Sequence, residues 1–261
     1  MRVRYAKRGR LRFTSHRDFA RAFERALRRA GVPMAYSAGF NPHPKLSYLG
    51  AAPTGVASEA EYLELALAER VEPEQLRQTL DAALPPGLDV LECVEAGPGS
   101  LADRIEASRW RIELPGAGLD EVAGALRTFL AAERVEVQRL TKDGHRTLDA
   151  RAAVVSAQVG DGVPADGTGA PALSESSSCA ILDVVVRQVT PAVRPDDVLA
   201  ALRAVADLHL AVAPRATRVS QGRLDDTGGI TDPLSPDRAA ALAARESAPG
   251  PAAGSAVGQP A

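Results

Sequence analysis

The sequence is short of several things, and each shortage removes a class of protein. Its two cysteines, Cys93 and Cys179, stand far apart in a chain of 261 residues. No CxxC or CxxxCxxC group is present, so neither a zinc knuckle nor an iron–sulfur cluster is supported. A disulfide framework has no basis either, which fits a reducing compartment. The four histidines, His16, His43, His145 and His209, show no HxxxH or HExxH spacing, so no metal site is expected. No apolar run reaches membrane-spanning length, and residues 1–8 lack the apolar centre of a signal peptide. The expected location is therefore cytoplasmic, with no membrane partner. Glycine-rich phosphate loops and dinucleotide fingerprints are also missing, so no cofactor is expected. Aromatic residues make up only 4%, whereas 45% hydrophobic and 25% charged residues are ordinary for a globular chain of one large or two modest domains.

What the sequence does have is a lopsided charge. Residues 1–45 hold twelve Lys and Arg against two acids, Asp18 and Glu24, a local charge of +10, while the remainder carries −12. An average near neutrality hides a basic end, and such an end points to a polyanionic partner.

The periodicity along the chain alternates between strand and helix. Residues 2–13 read as a strand, or a strand pair bending at Gly9, because Val3, Tyr5, Leu11 and Phe13 alternate with arginines. Ser15 with Asp18 three residues on has the pattern of a capping box, and Gly31 is placed to stop the helix that follows. On that helix Phe19, Phe23, Ala26, Leu27 and Ala30 share one side, and Arg17, Arg21, Arg25, Arg28 and Arg29 the other. A turn-rich loop, 36–45, comes next. Strands at 46–50 and 61–67, a helix at 73–84 and a strand at 88–94 complete the order β-α-β-β-α-β, a ferredoxin-like unit. The order then recurs: strand 110–114, helix 119–132, strands 135–140 and 151–159 around a turn at 142–145, strand 180–189, helix 196–208 and a short strand at 216–219. The expected fold is thus α+β, two tandem ferredoxin-like (βαββαβ) halves over 1–98 and 105–223. A Gly- and Ser-rich stretch at 160–178 reads as a flexible insertion. Residues 224–261 read as a disordered tail in which only 238–244 forms a transient helix.

Several stretches together resemble one known family. They are Arg12-Phe13-Thr14-Ser15-His16-Arg17-Asp18, then residues 23–31, then Tyr36-Ser37-Ala38-Gly39-Phe40-Asn41-Pro42-His43-Pro44-Lys45, and then Ser58-Glu59-Ala60-Glu61-Tyr62. The family is the radical-SAM-associated domain of unknown function, and the resemblance is strong over about 1–95 and thinner over 105–221. Asp149 and Arg151 look like the remnant of its D-x-R element. Many members are fused behind a radical SAM enzyme, while others stand alone, which is the expectation here. The resemblance implies a setting of RNA modification, processing or ribosome assembly, with a radical SAM enzyme or an E/G-type ribonuclease as possible partners. This chain has no radical SAM cluster motif and cannot run that chemistry unaided.

The residues themselves suggest an RNA- or anion-binding face made of Arg12, Ser15, Arg17, Arg21, Arg25, Arg28, Asn41 and Lys45, with Phe40, Tyr36 and Tyr48 as stacking platforms. An RNA-binding or RNA-processing accessory module is the leading expectation, and an enzyme is the less favoured one. The alternatives are a metal-independent RNA phosphodiesterase and a protein adaptor. The first would gather His16, His43, Tyr36 and Lys45 around a phosphodiester. The second would dock the arginine face on an acidic partner.

Overall fold

A computed structural model describes residues 1–141, 144–162 and 179–247. The first strand, β1 (Arg2–Lys7), points Val3 and Tyr5 toward one face of the sheet and Arg2 and Arg4 toward the other. The chain does not continue as a second strand. Gly9 takes a left-handed φ of +53°, and Gly9–Phe13 coils into a 3-10 turn. Its bonds from Leu11 N to Arg8 O and from Thr14 N to Leu11 O use groups that a ladder would have needed.

Helix α1 (His16–Arg29) begins as its capping signals require. The Ser15 hydroxyl accepts from Asp18 N at 3.2 Å and donates to the Asp18 carboxylate at 2.8 Å. Gly31, at φ +63°, ends it. Phe19, Phe23, Ala26 and Leu27 are buried, and Phe19 stacks on Tyr5 with ring centres 4.8 Å apart. There follow β2 (Leu46–Leu49), β3 (Ala57–Leu65), α2 (Pro73–Ala83) and β4 (Leu88–Val94). The second half holds β5 (Ala107–Pro115), α3 (Leu119–Ala131), β6 (Glu136–Thr141), β7 (Gly144–Asp149), α4 (Ala150–Ala153), β8 (Val154–Asp161), β9 (Cys179–Arg187), α5 (Pro195–Ala206) and β10 (Arg215–Leu224). After it come β11 (Ile230–Thr231) and α6 (Ser235–Glu246).

The protein is α+β, built on one mixed sheet of nine described strands in the order β4-β1-β3-β10-β5-β9-β8, with β2 on β3 and β11 on β10. Every pairing in it is antiparallel except β3 with β10. That parallel contact, Ala57 and Ser58 against Thr217 and Arg218, joins the two halves. Helices α1 and α2 cover one face of the first half, where Phe23, Leu27, Leu76 and Leu80 meet Val3, Tyr5, Leu63 and Leu65. On the opposite face Tyr62, Val94 and Leu101 pack with Leu234. In the second half α3 and α5 lay Val122, Phe129, Val198 and Leu202 on Trp110, Ile112, Leu182 and Val184.

Several expectations change. Of the turn expected at 142–145, residues 142 and 143 lie outside the described residues, and Gly144–Asp149 is a strand that pairs with β6. Residues 150–153 form a single helical turn before β8. Asp149 caps that turn through Arg151 N and Ala152 N, an Asx pattern that ends the strand. The stretch 224–247, expected to be disordered, carries β11 and α6. One apolar side chain, Leu234, and one buried acid anchor it: Asp237 accepts from Arg2 at 2.6 Å, Arg104 at 2.8 Å and Gly97 N at 2.9 Å. Of the insertion expected at 160–178, Gly160 and Asp161 instead end β8, paired with Ile181 and Ala180, and the residues from 163 onward fall outside the described residues. Among the described residues no helix is long and apolar enough to cross a membrane.

Candidate nucleic-acid interface

The twelve cations of the first 45 residues divide into two groups. Arg2 is buried against Asp237 and Glu64. Lys7 is buried with its ammonium on the carbonyls of Ala52 and Pro53, and burial holds its pKa below the usual lysine range. Arg4 lies 3.9 Å from Asp232, Arg8 holds Glu59 and Asp89, and Arg29 turns inward to the Ala83 carbonyl. These five belong to the fold.

The other seven are Arg10, Arg12, Arg17, Arg21, Arg25, Arg28 and Lys45. None makes an ion pair with a described residue. Arg17, Arg21, Arg25 and Arg28 are exposed and spaced to form one stripe along α1. Glu24 stands four residues before Arg28, yet no ion pair joins them. Arg17 sits in the first turn, where the helix dipole disfavours a cation, so local helix energetics do not account for it. Like charges at i,i+4 cost a few tenths of a kcal/mol each. A polyanion would remove that cost.

The 36–45 loop, which begins seven residues after α1 ends, is rooted on Ala66 just beyond β3. Ala35 N bonds Ala66 O, Lys45 N bonds Ala35 O, and Tyr36 bridges Pro44. Within the loop Ser37 does the stitching, its N–H donating to the His43 carbonyl at 2.8 Å and its hydroxyl accepting from His43 N at 3.0 Å. Asn41 and the His43 ring are exposed, and neither side chain hydrogen-bonds a described residue. Tyr36 is 50% exposed and Phe40 wholly so, at 106%.

His16 is the first residue of α1, its ring edge-on to Tyr48 at 5.1 Å. Tyr48 is no stacking platform: its ring also meets Phe19 at 5.5 Å, and its hydroxyl is buried with no hydrogen-bond partner among the described residues. Burial, with Glu24 nearby, pushes that hydroxyl up to about 12. No contact among the described residues joins His16 to His43, Tyr36 or Lys45. Five residues of near-extended chain separate His43 from Tyr48, about 16 Å at ~3.3 Å per residue. The loop histidine and the helix histidine therefore sit at opposite ends of β2.

Sequence reasoning missed two features. Phe13, expected in a strand alternating with arginines, is in a turn and 59% exposed with Arg12 over its ring at 4.5 Å; Gly9 is the signal for the turn that exposes it. At the join of the halves, buried Glu61 receives Arg218 and Ala52 N, while Arg218 also reaches Gln221 at 3.2 Å and lies over Trp110 at 5.3 Å. Only spatial pairing reveals that site, since 157 residues separate its two charges. Asp149 and Arg151, singled out by resemblance, have structural duties here. Asp149 caps α4, and Arg151 bonds the carbonyls of Leu130 and Val154. Among the described residues no cluster of three or more His, Cys, Asp or Glu is able to hold a metal ion.

A family model described as an uncharacterized protein conserved in bacteria (DUF2344) matches residues 1–195. No curated protein matches the chain.

Proposed function

The chain belongs to this family of uncharacterized bacterial proteins, and from its own geometry we propose that it is an RNA-binding accessory module working in the cytoplasm. The observation that carries the reading is the α1 stripe, four exposed arginines with no carboxylate partner among the described residues. Lys45 and Asn41 at one end, and Arg12 at the other, extend it as phosphate donors; Ser15 is not among them, because its hydroxyl proton is given to the Asp18 carboxylate. The same proposal reads each half as a ferredoxin-like unit, supported by the strand orders β4-β1-β3-β2 and β10-β5-β9-β8. In both, the fourth strand is followed by the first, third and second. The phosphodiesterase alternative is less supported, because the two histidines it needs are not in contact. An enzyme partner of the radical SAM or E/G-ribonuclease type rests on the family resemblance alone.

The test is binding of the full chain to total cellular RNA across a salt series. Affinity should fall steeply with salt. In the variant Arg17→Glu/Arg21→Glu/Arg25→Glu binding should be lost, with an unchanged circular dichroism spectrum. Unaltered affinity in that folded variant would remove the proposal.

A further inference from the structure

Two aromatic side chains left outside the core flank the ends of the arginine stripe. Phe13 lies two residues ahead of the Ser15 cap and is 59% exposed. Phe40 stands in the 36–45 loop at the other end and is wholly exposed. Between them runs a helix of 14 residues, about 21 Å at ~1.5 Å per residue. In a chain with five phenylalanines, leaving two in water adds nothing to the fold, and Arg12, which has no ion-pair partner among the described residues, lies over the Phe13 ring.

We infer that the ligand of this face is single-stranded RNA, its phosphates along Arg17, Arg21, Arg25 and Arg28 and its unpaired bases stacked on Phe40 and on the Arg12–Phe13 pair. The inference rests on the RNA-binding reading above and narrows it. In a duplex the bases stack on each other, and recognition passes through phosphates and 2′-hydroxyls, for which exposed rings are of no use. A single strand offers free base faces, and a charged track with aromatic platforms is the arrangement that holds one. At Phe13 the outer surface is a guanidinium plane, since Arg12 lies over the ring at 4.5 Å, and such a plane also stacks on bases. An acidic protein is the poorer fit. The exposed side of α1 carries His16, Arg17, Asp18, Arg21, Arg25, Arg28 and Arg29 and so lacks the apolar centre that protein interfaces bury.

The experiment compares the full chain, Phe40→Ala, Phe40→Tyr and the triple arginine variant. Each is titrated with a short mixed-sequence single-stranded RNA, the same sequence as a duplex, and inorganic polyphosphate. Phe40→Ala should weaken single-strand binding by about tenfold and leave duplex and polyphosphate binding unchanged, while Phe40→Tyr stays near the parent. Phe40 is wholly exposed, so the alanine variant should keep the parent's melting temperature. If Phe40→Ala binds the single strand like the parent, or if the parent holds duplex or polyphosphate at least as tightly, the single-strand inference falls. Should the triple variant in that case still lose all RNA, the broader reading stands. A parent that binds none of the three ligands overturns both and turns the stripe toward an acidic protein.

Discussion

Arg2 and Arg104 converge on one carboxylate beneath the sheet, whereas Arg17, Arg21, Arg25 and Arg28 stand exposed along α1 without one among the described residues. At Asp237 every charge is matched: both carboxylate oxygens are occupied, Arg2 also holds Glu64, and Arg104 takes the carbonyls of Pro98 and Pro233. The Glu61–Arg218 pair at the join of the halves is built alike, with Ala52 N on the carboxylate and Gln221 on the guanidinium. Burying an ion costs several kcal/mol unless its partners are in place, so these arginines are legible as architecture. Those of α1 meet no such requirement. An arginine that is neither buried nor paired is free to meet something outside the protein.

Breaking the buried network should have the largest effect. Asp237→Ala leaves two buried guanidinium groups without their carboxylate and should cost about 3–5 kcal/mol in urea unfolding. A loss under about 1 kcal/mol would mean that α6 is not held as the geometry indicates. Glu61→Ala should cost a similar amount, of order 3 kcal/mol, by stranding Arg218. Replacing both charges, as Glu61→Met/Arg218→Met, should cost less than Glu61→Ala, because the guanidinium that would be stranded is gone and the neighbouring buried Lys7 keeps the carbonyls of Ala52 and Pro53. Equal or greater loss in the double variant would show that the pair adds net stability rather than matching charge.

The contrast also explains what was legible beforehand. Helix α1 could be read in full because its signals are local: Ser15 and Asp18 at the start, Gly31 at the end, and a 100° spacing that separates Phe19 and Phe23 from the arginines. Exposure of the stripe follows from the same spacing. The fate of the remaining early cations could not be read, since nothing local distinguishes Arg2, whose partner lies 235 residues away, from Arg17, which has none among the described residues. Residues 235–246 were misjudged for the same reason. Their composition is that of a tail, and the buried side chain that holds them, Asp237, looks like a surface acid until Arg2 and Arg104 are seen around it. In the loop, the turn residues were legible but their roles were not: Ser37 stitches it, while Asn41 and His43 face outward.

Smaller effects sharpen the other side. Ser15→Ala removes the hydroxyl that accepts Asp18 N and should cost about 1 kcal/mol, the usual value of an N-cap, seen as a lower urea midpoint with an unchanged slope. A neutral result would mean that Asp18 and water satisfy the helix start unaided.

The smallest stability change belongs to the stripe itself. Arg17→Gln/Arg21→Gln/Arg25→Gln deletes three charges with no ion-pair partner among the described residues, so stability should move by no more than about 0.5 kcal/mol. Its sign should be toward greater stability at low salt, where repulsion between neighbours four apart is least screened, and the gain should fade as salt is added. Urea unfolding at two ionic strengths measures both. A clear destabilisation, above about 1 kcal/mol and indifferent to salt, would place these arginines with Arg2 and Arg104 as part of the fold. Stability kept or raised, with RNA affinity lost, would leave an external anion as the reason the stripe is there.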